Sequence, residues 1–147
     1  MINLKTFNLV LHDLENNHDE FIAVLDRIIK LAVDVFKGTE ELQEEILDYN
    51  DIYQIIIPEI NFNFWLKVSN GSIIYKKGLN PSASFEVIYP KDILLKILKR
   101  EIHGTDAYMK GIIKVNGDLS QGLRYTRLFR LLLIYINNGF KKKLNGK

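Results

Sequence analysis

The hydrophobic and polar positions fall into segments of two different periods. From His18, apolar residues recur at three- and four-residue steps: Phe21, Val24, Leu25, Ile28, Ile29, Ala32, Val35 and Phe36. Asp26, Lys30, Asp34 and Lys37 occupy the other side, so the spacing predicts an amphipathic helix, with Gly38 as its stop. Thr39 before Glu40 and Glu41 predicts the N-cap and acidic first turn of a second helix, ending near Tyr49–Asn50. The period then shortens. Ile52–Ile57 is β-branched and aromatic and is closed by Pro58, and Asn61–Val68 alternates, with Phe62, Phe64, Leu66 and Val68 sharing a face. Asn70-Gly71 predicts a tight hairpin turn into a returning strand over Ser72–Lys77. Ala83, Phe85, Val87 and Tyr89 share a face of a further strand that Pro90 stops.

Asp92–Ile102 returns to helical spacing, with Ile93, Leu94, Ile97 and Leu98 as its stripe. A short strand over Ile112–Val115, a turn at Asn116-Gly117 and a last helix from Leu119 to Asn137 complete the order. Residues 1–17 carry weak signals and read as a short strand followed by a turn. Helices, then a meander, then a helix, a strand and a helix predict an α+β fold with a sheet covered by helices. The chain reads as one domain over 1–147, within the usual domain size. It divides into an N-terminal helical region over 18–50, a sheet with an inserted helix over 51–117, a C-terminal helix over 118–137 and a basic tail over 138–147.

Composition narrows the chemistry. Cysteine is absent, which excludes disulfides, thiolate catalysis and Cys-based metal sites. The longest uninterrupted apolar run, Leu131–Ile136, is far below the about 20 residues that span a bilayer, and no segment reads as a signal peptide. A cytoplasmic location is expected. His12, His18 and His103 have no metal-ligand spacing, and neither a nucleophile elbow nor a phosphate-binding glycine loop is present. The acid pairs Glu40–Glu41 and Glu44–Glu45 fall on a polar helix face, where no apolar neighbours raise a carboxyl for acid–base work. No cofactor motif and no enzyme activity is expected.

Charge changes the picture in one respect. Residues 1–50 hold 11 acids and 4 bases, whereas residues 51–147 hold 7 acids and 16 bases. From Leu119 onward there are seven bases and no acid, among them Lys141, Lys142 and Lys143, a candidate contact for an anionic membrane surface. Nucleic acid is not expected as a partner, because these bases sit on an apolar helix without interleaved exposed aromatics. Trp65 points away from the Phe64 face, either packed under a covering helix or forming a ligand wall.

The last helix is apolar around most of its circumference, whereas one packed face needs a stripe only about 100° wide. The surplus calls for a second covering surface, which core packing, a dimer or a ligand cavity would each provide.

Residues 62 to about 133 resemble the sterol carrier protein 2 domain family. "FNFWLKVSNGSIIYKKG" is similar to that family's paired strands, and "NPSASFEVIYPKDILLKIL" to its next strand and the helix after it. "GTDAYMKGIIKVNGDLSQGLRYTRLFRLL" carries the most specific likeness: Gly111 and Gly117 flank a five-residue strand, and Asp118 stands as the N-cap of the terminal helix. The resemblance implies a five-stranded, mostly antiparallel sheet with helices on one side. It also implies a hydrophobic tunnel for a sterol, fatty acid, acyl-CoA or similar lipid, and no catalytic residue. On that reading Phe62, Phe64, Leu66, Phe85, Val87, Leu94, Leu98, Met109, Ile113, Leu123 and Leu128 are the candidate lining. The competing reading is an interaction or homodimerisation module that uses the apolar C-terminal helix.

Overall fold

A computed structural model describes residues 17–144, with side chains placed as far as Ile134. Helix α1 (His18–Lys37) starts where the Asn17 side chain accepts a hydrogen bond from the Glu20 amide at 3.1 Å, with Asp19 and Glu20 in its positive first turn. Its predicted stripe supplies the buried Phe21, Leu25, Ile28, Ala32 and Phe36. Helix α2 (Glu40–Glu45) is shorter than expected. The Leu47 and Tyr49 amides bond three residues back, to Glu44 and Ile46, so the chain tightens out of the helix.

Strand β1 (Asn50–Ile57) starts two residues before its apolar run, because Asn50 and Asp51 pair with Ser69 and Val68 of β2 (Phe62–Ser69). A 3-10 turn over Pro58–Ile60 joins them. The Glu59 carboxylate in that turn accepts from the Lys91 amide at 2.8 Å, satisfying a free donor at the start of α3 (Lys91–Leu98). The Asn70-Gly71 hairpin leads into β3 (Ser72–Lys77), with both turn residues in the left-handed region at φ 52° and 78°. Gly71 also lies under α2, where an added Cβ would stand 3.0 Å from the Gln43 carbonyl oxygen.

From β3 the chain crosses the sheet to β4 (Phe85–Ile88), which runs parallel to β1. Gln54 holds that crossing: its side-chain amide donates to the Gly78 carbonyl at 3.0 Å, and its carbonyl accepts from the Asn80 amide at 2.8 Å. After α4 (Gly104–Met109), β5 (Lys114–Asn116) adds antiparallel to β4. The sheet order is β3-β2-β1-β4-β5, five strands with one parallel pair. β5 is shorter than expected because the Ile112 and Ile113 amides both turn back to the Ala107 carbonyl and are lost to the ladder.

The last helix, α5 (Leu119–Leu144), runs past the expected end at Asn137. Asp118 caps it, accepting from the Gln121 amide at 2.8 Å. At Gly117, an added Cβ would stand 2.7 Å from the Phe85 ring, so only glycine lets the chain turn into α5 so close to the sheet. α1 and α5 pack on each other and on the Phe64 face of the sheet. The expected strand in residues 1–17 falls almost wholly outside the described residues, as do the side chains of Lys141, Lys142 and Lys143.

Candidate apolar ligand site

Between the sheet and the two long helices lies an apolar cavity of about 60 Å³. Ile55, Phe64 and Leu66 form its floor, and α1 contributes Leu25, Ile28, Ile29 and Ala32. Leu94 and Leu98 of α3 close one side, and Tyr125, Phe129, Leu132 and Leu133 of α5 form the roof. Each set follows from local period: alternation turns the odd-spaced Ile55 and the even-spaced Phe64 and Leu66 to one face, and three- and four-residue steps align each helix stripe. Four of the eleven candidate residues, Phe64, Leu66, Leu94 and Leu98, are on this wall.

The other candidates are placed differently. Phe62, Phe85, Val87, Ile113 and Leu128 are buried in the surrounding core and do not line the cavity. Met109 and Leu123 correct the expectation outright, being 78% and 64% exposed. Met109 ends the short α4, and Leu123 sits on a flank of α5 that turns away from the inward set Tyr125, Leu128, Phe129 and Leu132. Among the described residues this cavity does not show the expected elongated tunnel. The cavity would take on the order of four to six waters at about 10–15 Å³ each, well below the roughly 300 Å³ at which ligand pockets begin. Trp65 lies half-buried on the opposite sheet face, opposite Gln54 on one neighbour and Lys76 on the other.

Sequence reasoning missed the α1 wall as ligand lining, although its stripe was visible. It also missed the polar groups that fix the roof. Asp51, 4% exposed, accepts two bonds from Arg124, Nε to Oδ2 at 2.7 Å and Nη2 to Oδ1 at 3.0 Å. The Tyr53 hydroxyl donates to Oδ2 at 2.7 Å, and the Gln121 amide reaches Oδ1 at 3.4 Å and the Ser84 hydroxyl at 2.7 Å. Burial alone would raise the Asp51 pKa; the Arg124 and Tyr53 bonds to its charged form outweigh that and hold it below the usual carboxylate value. A turn further along α5, Arg127 pairs with Glu45 of the α2 end.

Beside the cavity, the Tyr89 and Tyr125 hydroxyls bond each other at 2.8 Å. Burial pushes Tyr89 up to about 12, against the opposing effect of the Tyr125 bond, and burial also raises Tyr125 well above its ordinary value. Both phenols therefore stay protonated at neutral pH and act as neutral wall groups. Among the described residues no cluster of His, Cys, Asp or Glu could hold a metal ion, and no helix is long and apolar enough to cross a membrane.

Residues 32–130 match the SCP-2 sterol transfer family. The chain belongs to that family. The matched span includes the end of α1, the whole sheet, α3, α4 and the first half of α5, and so most of the cavity wall. Among solved structures, sterol carrier protein 2 from Yarrowia lipolytica in its apo form is 14% identical, over 75% of this chain and 90% of that one, with a TM-score of 0.58. The UbiJ-SCP2 ubiquinone synthesis protein is 18% identical over 75% of this chain and 91% of that one, at a TM-score of 0.56. The stereoselective inverting sec-alkylsulfatase from Pseudomonas sp. contains a similar fold, 21% identical at a TM-score of 0.51, but this chain spans only 14% of its length. At such identities these structures establish the shared α+β fold. No curated protein matches the chain.

Proposed function

We propose that the chain binds an apolar lipid between its sheet and its two long helices and performs no chemistry of its own. The observation that carries this reading is the cavity itself: a space with an apolar wall that the side chains around it do not fill, in a member of the sterol transfer family. A protein interior is normally packed without such gaps, since each costs the dispersion contacts of its lining. The ligand is a sterol, fatty acid, acyl-CoA or similar molecule, and the space must widen to take it. Ile29, Phe129, Leu132 and Leu133 are only half-buried, so α1 and the distal half of α5 are the walls that part. Burial of apolar ligand surface at about 25 cal/mol per Å² then supplies the affinity. Opening the closed form subtracts from it, because apparent affinity falls with the fraction of molecules that are open.

A second reading, homodimerisation through α5, rests on Leu119, Leu123 and Ile134, which form an exposed apolar flank of that helix. Native mass spectrometry of the purified protein separates the two. The lipid reading expects a monomer carrying a co-purified lipid that is released chemically unaltered after incubation. A dimer with no lipid adduct would favour the second reading and discard the first.

We place delivery of the ligand at an anionic membrane surface, with Lys141, Lys142 and Lys143 contributing about 1 kcal/mol each near the bilayer. Exchanging all three for glutamate should abolish co-sedimentation with anionic liposomes at low salt. Equal pelleting of variant and wild type would remove the lysines from the mechanism.

A further inference from the structure

Three of the nine large apolar side chains exposed among the described residues fall within five positions: Tyr108, Met109 and Ile112, at 52%, 78% and 40%. Scattered singly, such residues need no explanation, but a contiguous exposed group marks a contact surface. They sit where α4 turns towards β5, and the turn holds them out. Ala107 is buried on one side of it and Ile113 on the other. The Ala107 carbonyl accepts from the Ile112 amide at 2.9 Å and from the Ile113 amide at 3.4 Å, so the turn is pinned shut at one atom. Gly111 lies in it at φ 74°, and nothing stands within 4 Å of where a Cβ would be. Residues 108–112 are therefore a fixed projection from the core.

Two further features say what the projection meets. Its backbone is satisfied from within. The Lys110 amide donates to the Asp106 carbonyl and the Gly111 amide to the Tyr108 carbonyl, each at 3.0 Å, beside the two amides bound by Ala107. Four consecutive amides can thus leave water and keep their partners, which backbone entering an apolar medium must do. The charge has one sign. Between Asp106 and Asp118 the charged residues are Lys110 and Lys114, both exposed and without a carboxylate partner among the described residues. An aromatic ring with a polar tip, two apolar side chains and lysines with long stems suit a membrane–water interface. A protein partner fits less well. A stable interface takes about 20–30 residues a side, and this projection offers three apolar side chains.

We propose that residues 108–112 are the point at which the protein seats on an anionic bilayer, with Tyr108, Met109 and Ile112 entering the headgroup region and Lys110 and Lys114 meeting lipid phosphates. The inference rests on delivery at a membrane surface and adds a contact of a different kind. Lysines 141–143 attract over distance, but stable anchoring takes an apolar signal beside a basic one. The place suits delivery. An added Cβ at Gly104 of α4 would meet Ile97 of α3 at 4.0 Å, and α3 is the helix whose Leu94 and Leu98 close one side of the cavity.

The test uses the absence of cysteine, which lets one introduced thiol carry a dye. Full-length Met109→Cys and Leu79→Cys are each labelled with nitrobenzoxadiazole and mixed with vesicles of phosphatidylcholine and phosphatidylglycerol. Leu79 is 66% exposed and follows β3, at the sheet edge opposite β5. The label at 109 should shift to the blue and be quenched by headgroup spin-labelled lipid, and the label at 79 should keep its aqueous spectrum. In unlabelled protein, Met109→Ser with Ile112→Ser should weaken vesicle co-sedimentation at least about tenfold, at unchanged Tm, whereas Leu79→Ser should leave it as in wild type. Pelleting with no shift at 109, equal shifts at 109 and 79, or wild-type pelleting by the double variant would each overturn the proposal and leave the lysine tail as the contact. A shift at 109 without vesicles that grows with protein concentration would make the projection a self-association surface, and overturn it too. A wild type that does not pellet at all would remove membrane delivery and this proposal with it. The apolar-ligand reading is decided separately, by the co-purified lipid.

Discussion

Replacing Arg124 by methionine should destabilise the protein by about 3 kcal/mol at pH 7.5, the largest loss expected from any single polar residue here. Removing one partner of a buried ion pair typically costs about 3–5 kcal/mol, because the remaining charge is left desolvated. The lower end applies, since the Asp51 side chain is 2% exposed but that of Arg124 is 34% exposed. The sign with pH follows from Asp51. With Arg124 present its pKa lies below the unfolded value, so its contribution is complete above that value and fades as pH falls through the folded one. Without Arg124, burial still raises the Asp51 pKa and only the Tyr53 and Gln121 bonds remain to lower it, so the carboxyl titrates higher than in wild type and its ionised form is less well held. The gap between wild type and Arg124→Met should therefore be widest at pH 7.5 and narrow towards pH 4. Urea unfolding at both pH values measures it. An equal loss at both would show that the lost guanidinium packing, not the stranded charge, carries the effect. Asp26 behaves similarly at the other helix. It accepts from the Tyr75 hydroxyl at 2.7 Å and pairs with Lys30 at 3.1 Å, and these outweigh burial to lower its pKa.

What could be read from the sequence was whatever repeats locally. Phe62, Phe64, Leu66 and Val68 announce their common face at every second position, and Asn70-Gly71 defines its own turn, so β2 and β3 were expected nearly residue for residue. The α1 stripe was equally plain. Its role at the cavity was not, because a helix stripe shows which side is buried and not whether ligand or side chain covers it. Arg124 and Asp51 lie 73 positions apart and share no period. Their pairing depends on α5 lying across β1, which is a tertiary fact. The end of α3 was placed too late, at Ile102, for a different reason: helical spacing continues past Leu98, whereas the chain leaves the helix there through a left-handed residue that is an arginine, Arg100, and not a glycine. Leu123 was placed inside because the apolar residues of the last helix were all counted inward, whereas Met109 ends a six-residue helix too short to show a face by its period. The inward face of α5 is the narrower set Tyr125, Leu128, Phe129, Leu132 and Leu133, and Leu123 falls on its flank.

Exchanging Ala32 for leucine should abolish lipid binding and leave the fold intact. Ala32 is 3% exposed on the inner face of α1, and its methyl group borders the cavity opposite the α5 roof. A leucine there projects three more carbons into unfilled space and keeps the helix propensity of the site, since both residues are strong helix formers. Filling a gap of about 60 Å³ returns at most about 1.4 kcal/mol, at roughly 24 cal/mol per Å³ of cavity. Off-rotamer strain takes back part of that, so a Tm equal to wild type or slightly higher is expected. Ligand binding should respond in the opposite sense. The closed form gains contacts that the open form lacks, so opening becomes harder, and the space for the chain is smaller once it is open. A shift of about 1.4 kcal/mol in the opening equilibrium alone lowers apparent affinity about tenfold, before any direct clash is counted. Titration with dodecanoic acid, beside a thermal melt of the same sample, reads both quantities. Unchanged affinity in a stably folded Ala32→Leu variant would place the lipid somewhere other than under α5, because no ligand could share that space with the added side chain.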